Sequence, residues 1–386
     1  MPIVGPGSTI GILGGGQLGR MTAMAARTLG YHVHVLDPDA ACAAGAVADR
    51  VVPARFDDAA AAAELARHCH VVTLEIEHIA PAALAAAARH APLRPGAAIL
   101  EVVQDRAVQK RWLSDRGFPV GRYREVNNSE ELAAAASALG TLFVKTCRGG
   151  YDGRSQARVA TSDEAPGAWS ALGERRSVAE QALELAAELS VMVARRPSGE
   201  VRVYPPALNF HERQILAWSV IPAPLSDAVI RRAEEIARGI ADGFGLEGIL
   251  AVELFLLGDE TLLVNELAPR PHNSFHETEV ACSTSQFEQL VRAVCDLPLG
   301  DPRVLRPGAI YNLFGDLWLR ADGPPRFEAA LSRPGVRLHL YGKPGARPGR
   351  KMGHLSATGD TADDALARVR DAAASLNAAS LTAASH

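Results

Sequence analysis

Residues 249–276 read Ile-Leu-Ala-Val-Glu-Leu-Phe-Leu-Leu-Gly-Asp-Glu-Thr-Leu-Leu-Val-Asn-Glu-Leu-Ala-Pro-Arg-Pro-His-Asn-Ser-Phe-His. Two apolar runs flank Gly258-Asp259-Glu260, the pattern of a β-hairpin. A two-residue loop at Asp259 and Glu260 sets Glu253 directly opposite Glu266; a three-residue loop sets it opposite Asn265 instead. Like charges facing each other across a sheet cost roughly 0.2–1 kcal/mol relative to neutral neighbours, so apolar strands gain no stability from the first arrangement. A hard divalent cation would resolve the conflict, because Mg²⁺ takes oxygen ligands, commonly one or two carboxylates together with substrate phosphates. The plainer alternative is a single Glu turned to solvent at a strand end. Beyond the second strand come Arg270, His272 and Asn273, with Pro269 and Pro271 stiffening the turn. Charge, donors and acceptors therefore converge where a strand ends.

Composition narrows what such a hairpin could serve. At 386 residues the chain exceeds one ordinary core, and two or three domains are expected. With 48% hydrophobic and 22% charged residues it reads as a soluble globular protein. A net charge of −4 argues against general nucleic-acid binding, which needs a basic surface. No apolar run approaches a membrane span, and the N-terminus has neither a basic region nor an apolar one of the targeting kind, so a cytoplasmic location is expected. The five cysteines, Cys42, Cys69, Cys147, Cys282 and Cys295, form no CxxC pair, which fits a reducing compartment and not a zinc site. Cys147, beside a glycine loop, reads as a bystander thiol.

Toward the N-terminus, residues 8–14 predict a buried strand, followed by a helical run over 20–29 and a strand over 32–36 with Asp37 at its tip. In this βαβ unit Gly14, Gly16 and Gly19 satisfy GxGxxG with an acid about 20 residues on, the dinucleotide fingerprint. Taken alone, it makes an NAD-dependent oxidoreductase a competitor, although any tight strand-to-helix turn wants these glycines. Alanine-rich helices near 59–67 and from Pro81, with a strand over 71–76 between them, extend the pattern into an open, doubly wound parallel sheet. Ligands of such sheets sit beyond the carboxyl ends of the strands, where Gln17 and Glu75 fall. Glu75 and Glu77 read equally well as exposed polar strand ends.

A charged helix over 104–117 carries Arg106 and Lys110 four apart on one face, which reads first as a solvated surface and second as a phosphate-facing patch. Over 142–156 a strand bearing Lys145 runs into a loop with Gly149, Gly150 and Gly153, whose backbone N–H groups could approach phosphate oxygens. The segment is not a Walker A motif, since its lysine precedes the glycines. Alone it reads as a surface hairpin turn. Combined with the Glu253/Glu266 hairpin, it describes a nucleotide held between two sheets, with lysine over the phosphates and Mg²⁺ beneath. Residues 178–183 form a short strand ending in a stretch suited to hydrogen-bond an adenine edge. Glu188 and His211 are isolated and by themselves read as surface residues. A charged helix over 226–244 leads back to the hairpin.

Past Pro298 the chain turns Pro-, Gly- and Arg-rich, as in a small appended unit. Lys343, Arg347, Arg350 and Lys351 place four positive charges in nine residues. Such a run is either a solvated loop or, stiffened by its prolines and glycines, a preorganised site for a phosphate monoester. The Ala/Ser-rich tail after about 376 is expected to fray.

Several of these words together, in order, resemble one family: Gly-Gln-Leu-Gly-Arg near the N-terminus, Glu-Ile-Glu at 75–77, Gly-Gly-Tyr-Asp-Gly-Arg at 149–154, Glu-Gln at 180, Asn-Glu-Leu-Ala-Pro-Arg at 265 and Arg-Pro-Gly-Arg-Lys at 347. They look like the N5-carboxyaminoimidazole ribonucleotide synthetases, ATP-dependent carboxylases of purine biosynthesis in the ATP-grasp superfamily. The resemblance implies an α/β ATP-grasp fold with an N-terminal doubly wound sheet, divided as 1–103, 104–184, 185–300 and a small C-terminal unit over 301–386. It implies an ATP site lined by Arg106, Lys145, the loop Gly150, Tyr151, Asp152, Gly153, Arg154, Ser155 and Gln156, then Glu180, Gln181, Ala182, Leu183, Glu188, His211, Asn265 and Glu266. Glu253 and Glu266 would hold Mg²⁺. The ribonucleotide would meet Gln17, Leu18, Glu75, Tyr151, Arg154, Asn273, Lys343, Arg350 and Lys351.

The reaction implied is phosphoryl transfer from ATP to bicarbonate, then carboxylation of 5-aminoimidazole ribonucleotide. Asp152 would accept the amine proton, Arg270 and His272 would grip bicarbonate, and Asn273 and Lys343 would stand at the reacting centre. A homodimer acting on small molecules, with no nucleic-acid or membrane partner, is expected. Ser155 departs from the family pattern, which carries glycine there. The rival within the superfamily, a formate-dependent glycinamide ribonucleotide transformylase, has Glu where Gln17 stands and Asp where Asn273 stands. From other classes, an NAD-dependent oxidoreductase leaves Glu253 and Glu266 idle, and a nucleotide-sensing module would bind ATP without turnover.

Overall fold

Three sheets meet around one cleft. The computed structural model describes residues 3–149, 155–321 and 323–376, so the tail expected to fray lies outside the described residues. The first sheet is parallel, with Thr9–Leu13 between His32–Asp37 and Val71–Leu74, and Arg50–Pro53 at the edge beyond His32–Asp37. Its strands are short apolar runs because helices cover both faces, and Ile10, Ile12, Val33, Val35, Val71 and Val72 are almost fully buried. The first helix spans Gln17–Thr28, starting earlier than the sequence periodicity indicates, and Val71–Leu74 ends just before Glu75. Glu75 thus stands at the carboxyl end of its strand, while Gln17 opens the helix that follows Thr9–Leu13.

The second sheet is antiparallel, in the order Tyr123–Val126, Ser177–Gln181, Leu142–Thr146, Gln156–Val159. Helix Ser129–Leu139 packs Leu132, Ala135 and Ala136 against it, and Asn128 caps that helix by accepting from the Glu131 N–H at 2.8 Å.

The central sheet is antiparallel and nine-stranded. It runs Leu262–Ala268, Gly248–Leu257, Leu185–Arg195, Ala207–Glu212, Ile215–Ile221, Gly308–Phe314, Lys351–Thr358, Arg337–Leu340, with Val201–Val203 beside Leu185–Arg195. Helix Asp227–Phe244 covers one face. Its apolar residues Val229, Ala233, Ile236, Ala237, Ile240 and Ala241 recur at helical spacing and are buried, each large one contributing about 1.5–3 kcal/mol of transfer energy. Ser226 caps its start and Gly245, in the left-handed conformation, ends it. The segment past Pro298, expected as an appended unit, continues this sheet through Gly308–Phe314 and Lys351–Thr358. No helix among the described residues is long and apolar enough to cross a membrane.

Candidate active site

The hairpin settles its register by two compensating irregularities. The loop has three residues, Gly258, Asp259 and Glu260, closed by the Leu257 N–H on the Thr261 carbonyl at 2.9 Å, with Glu260 at φ 65°. Near the turn Leu256 pairs with Leu262 and Leu254 with Val264, a register that continued would oppose Glu253 to Asn265. A bulge at Asn265 shifts the ladder by one, so that Glu253 pairs with Glu266 after all. The structure thus combines the three-residue loop of one alternative with the Glu253/Glu266 pairing of the other. The Asn265 Nδ2 group donates to Glu253 at 3.2 Å, and Glu266 stands beside it.

The charges of this pair are compensated by side chains. His272 Nε2 lies 3.1 Å from Glu253 Oε1, and Arg106 Nη1 lies 3.2 Å from Glu266 Oε2. Burial pushes the Glu253 carboxyl up, but the hydrogen bond and charge of His272, with His211 and Lys145 beyond, outweigh it and hold it at about 2. Glu253 is thus a carboxylate over the whole physiological range. Glu180 is a second hub, with Lys110 and Lys145 each 2.6 Å from one of its oxygens. Burial raises its carboxyl, and the two lysines more than reverse that, to about 2. Arg270 Nε sits 2.8 Å from Glu77 Oε1, and His211 Nδ1 3.1 Å from Glu188 Oε2.

On the opposite wall the glycine loop closes on a side chain of the protein itself. Glu75 accepts from the backbone N–H of Gly16 and, at 2.6 Å, from that of Gly19, at the start of the first helix. A Cβ on Gly16 would lie 2.6 Å from Glu75 Oε1, and one on Gly19 2.7 Å from the Gly14 carbonyl. The fingerprint acid, Asp37, accepts from the Gly15 N–H at 2.7 Å. The place where a dinucleotide fold seats pyrophosphate, and the acid that would meet a ribose, are both engaged internally. Gln17 and Leu18 still face the cleft. The basic segment near 347 is tied down: Arg350 Nη1 donates to the Gly345 carbonyl at 2.7 Å, Lys343 Nζ to the Lys351 carbonyl at 2.9 Å, and the Gly349 N–H to Asp316 at 2.7 Å.

All three sheets open onto one cavity of about 910 Å³. It is lined by Arg106, Lys145, Gln156, Glu180, Gln181, Leu183, Glu188, His211, Glu253, Asn265, Glu266, Arg270, His272 and Asn273, and by Gln17, Leu18, Glu75, Lys343, Arg350 and Lys351. Ala182 turns its N–H to the Thr141 carbonyl and does not line it. Gly150, Tyr151, Asp152, Gly153 and Arg154 lie outside the described residues. Ser155 has φ 72°, the left-handed conformation that glycine adopts freely, which gives a physical reason for the glycine of the family pattern.

Three plain readings of the sequence are corrected. Arg106 and Lys110 are not a solvated face, because Lys110 is buried and both reach acids across the cleft. Glu188 and His211 pair inside the cavity and are not isolated surface residues. Glu75 and Glu77 are engaged by backbone amides and by Arg270, and neither is a free strand end. Sequence reasoning missed Phe143 and Phe255 as cavity residues. The two phenylalanines stand two residues from Lys145 and Glu253 on the same strands, so strand alternation points them the same way.

A cleft walled by a small antiparallel sheet on one side and a hairpin with paired glutamates on the other, its acids interleaved with Lys and Arg, defines an ATP-grasp enzyme. Family models agree along the chain: an ATP-grasp domain matches residues 111–287, a ribonucleotide synthetase preATP-grasp domain 8–104, and a phosphoribosylaminoimidazole carboxylase C-terminal domain 308–368. The N5-carboxyaminoimidazole ribonucleotide synthase of Brucella melitensis biotype 1 is 43% identical over 354 residues, covering 91% of this chain and 96% of the relative. Among solved structures, an ADP complex of an N5-carboxyaminoimidazole ribonucleotide synthetase matches with TM-score 0.89 at 39% identity, over 96% of this chain and 97% of the other. The Aspergillus clavatus enzyme, solved with ADP and 5-aminoimidazole ribonucleotide, matches with TM-score 0.86 at 34% identity, over 95% and 98%. The chain belongs to the N5-carboxyaminoimidazole ribonucleotide synthase family of ATP-grasp ligases.

Proposed function

We propose that this chain carboxylates 5-aminoimidazole ribonucleotide at its exocyclic amine, using ATP and bicarbonate and releasing ADP and phosphate, in purine biosynthesis. The observation that carries the reading is the single cavity in which the Glu253/Glu266 pair, the Lys145 and Arg106 cations, the Arg270/His272 corner and the basic loop of Lys343, Arg350 and Lys351 face one another. Glu253 and Glu266 offer the hard oxygen donors that Mg²⁺ prefers, in facing positions, and so would hold it. When bound, the ion supplies neutralisation of phosphate charge. Phosphoryl transfer otherwise needs mainly positioning and further neutralisation, which Lys145 and Arg106 give to the ATP phosphates. Gln181 and Leu183 border the adenine end, with Phe143 and Phe255 as its apolar walls.

Bicarbonate oxygen attacks the γ-phosphorus, giving carboxyphosphate and ADP. Arg270 and His272 grip the acid and keep the reactive species from water. The amine of the ribonucleotide then attacks its carbonyl carbon, phosphate leaves, and Asp152 takes the amine proton. Gln17, Glu75 and Asn273 orient the base while Lys343, Arg350 and Lys351 hold its phosphate. A cytoplasmic homodimer fits the reduced cysteines and the family; sedimentation would check the dimer.

The test is ADP release with Mg²⁺ and bicarbonate, with and without 5-aminoimidazole ribonucleotide, and with Glu266→Gln as control. Release that depends on the ribonucleotide and falls at least about a hundredfold in the variant supports the reading. Turnover on glycinamide ribonucleotide and formate instead would replace it with the transformylase.

A further inference from the structure

Behind the cavity wall, Asn273 belongs to a chain of side-chain hydrogen bonds whose polarity is fixed by the backbone. Gln286 Oε1 accepts from the His272 backbone N–H at 2.8 Å, and Gln286 Nε2 donates to the His272 carbonyl at 2.9 Å. A peptide N–H can only donate and a peptide C=O can only accept, so these two bonds leave the Gln286 amide one orientation. Its second Nε2 proton points to His276 Nδ1 at 3.1 Å, which must therefore carry a lone pair. A neutral imidazole with an unprotonated Nδ1 bears its proton on Nε2, and His276 Nε2 lies 3.1 Å from Asn273 Oδ1. The Asn273 oxygen is thereby turned to His276 as an acceptor, which leaves its NH₂ group for the cavity that Asn273 lines.

The neutral state is enforced by the surroundings. Gln286 and His276 are wholly buried. Burial, then His354 and His339, keep His276 well below the ordinary histidine range. Its ring stacks between Phe287 at 5.6 Å and His354 at 4.8 Å, which fixes the plane in which Nε2 points. The Gln286 N–H in turn donates to Thr278 Oγ1 at 3.0 Å, anchoring the start of helix Gln286–Val294.

We infer that Gln286 and His276 are positioning residues that lock the Asn273 amide with its nitrogen toward the cavity, so that this position recognises the substrate as a hydrogen-bond donor. The inference rests on the proposed role of Asn273 in meeting the ribonucleotide. It names the group recognised: an acceptor lone pair, such as the unprotonated ring nitrogen of an aminoimidazole, in preference to a protonated amine.

The tautomer is tested on the unaltered protein labelled with ¹⁵N-histidine, using the loss of one signal set in His276→Phe to assign the ring. A neutral ring protonated at Nε2 is expected. A ring protonated at Nδ1, or a charged one, overturns the relay whatever the substrate. Kinetics tests its use: His276→Phe keeps a stacked ring and removes the relay, and should raise KM for 5-aminoimidazole ribonucleotide about three- to tenfold with KM for ATP within about twofold. In an Asn273→Ala background the same change should add less than about twofold, since His276 acts only through Asn273. Equal increases in both KM values, or a full effect in the Asn273→Ala background, would mean that His276 is merely structural. Absence of any response of the unaltered protein to 5-aminoimidazole ribonucleotide would instead overturn the substrate reading and the recognition role together, while leaving the tautomer result standing.

Discussion

Replacing Glu180 with Gln would remove the one carboxylate shared by buried Lys110 and partly buried Lys145. In the structure Lys110 and Lys145 each approach it to 2.6 Å, and its side chain is only 14% exposed. Its carboxyl is held at about 2 against an ordinary 4.5, which corresponds to about 3 kcal/mol of stabilisation near neutral pH. That figure agrees with the roughly 3–5 kcal/mol lost when one partner of a buried ion pair is removed. Because the folded value lies below the unfolded one, the contribution is complete above about pH 5 and disappears as pH falls toward about 2. With an unfolding entropy of about 0.8 kcal/mol per degree for a chain of this length, Glu180→Gln should melt about 4 °C lower near neutral pH. Urea unfolding at about pH 7.5 and about pH 4 measures both parts of the argument. A variant within about 0.5 kcal/mol of the parent, or a deficit that does not shrink in acid, would refute the view that Glu180 is an ionic hub.

Two further changes probe other walls of the cleft. Arg270→Met leaves the partly buried Glu77 without its cation and should cost about 2–3 kcal/mol in urea unfolding; the same variant should raise KM for bicarbonate, while Arg270→Lys recovers part of the stability. Gly315→Ala would drive a Cβ into the backbone of Arg347 and so displace the basic loop. It should raise KM for the ribonucleotide about tenfold and leave KM for ATP unchanged in steady-state assays.

How much of this was legible in the sequence differs from residue to residue. The hairpin announced itself by alternation and turn chemistry, yet its register came from a loop length and a bulge that cancel, and nothing local marks Asn265 as the extra residue. The parallel sheet followed from apolar runs between alanine-rich helices. The glycine fingerprint was real, but its anion is Glu75, supplied by a distant strand end that no spacing rule connects to it. Arg106 and Lys110 looked like a solvated face because spacing on a helix says which residues share a side and not what lies opposite. Their acids, Glu266 and Glu180, arrive from two other sheets. The Gln286–His276–Asn273 relay was invisible for the same reason, since its direction depends on which backbone groups a glutamine meets after folding.

The cavity has walls from three sheets and is owned by none of them. A ligand seated there meets the end of the parallel sheet at Glu75, the small antiparallel sheet at Lys145 and the central sheet at Glu253. Its binding free energy therefore counts against any opening that separates the sheets, and not against fluctuations within one of them. Saturation at about a hundred times Kd adds roughly 2.7 kcal/mol to that opening alone. Ligand occupancy and inter-sheet docking are in this sense one equilibrium, and amide protons along the seams between sheets should respond to substrate while those buried inside each sheet do not.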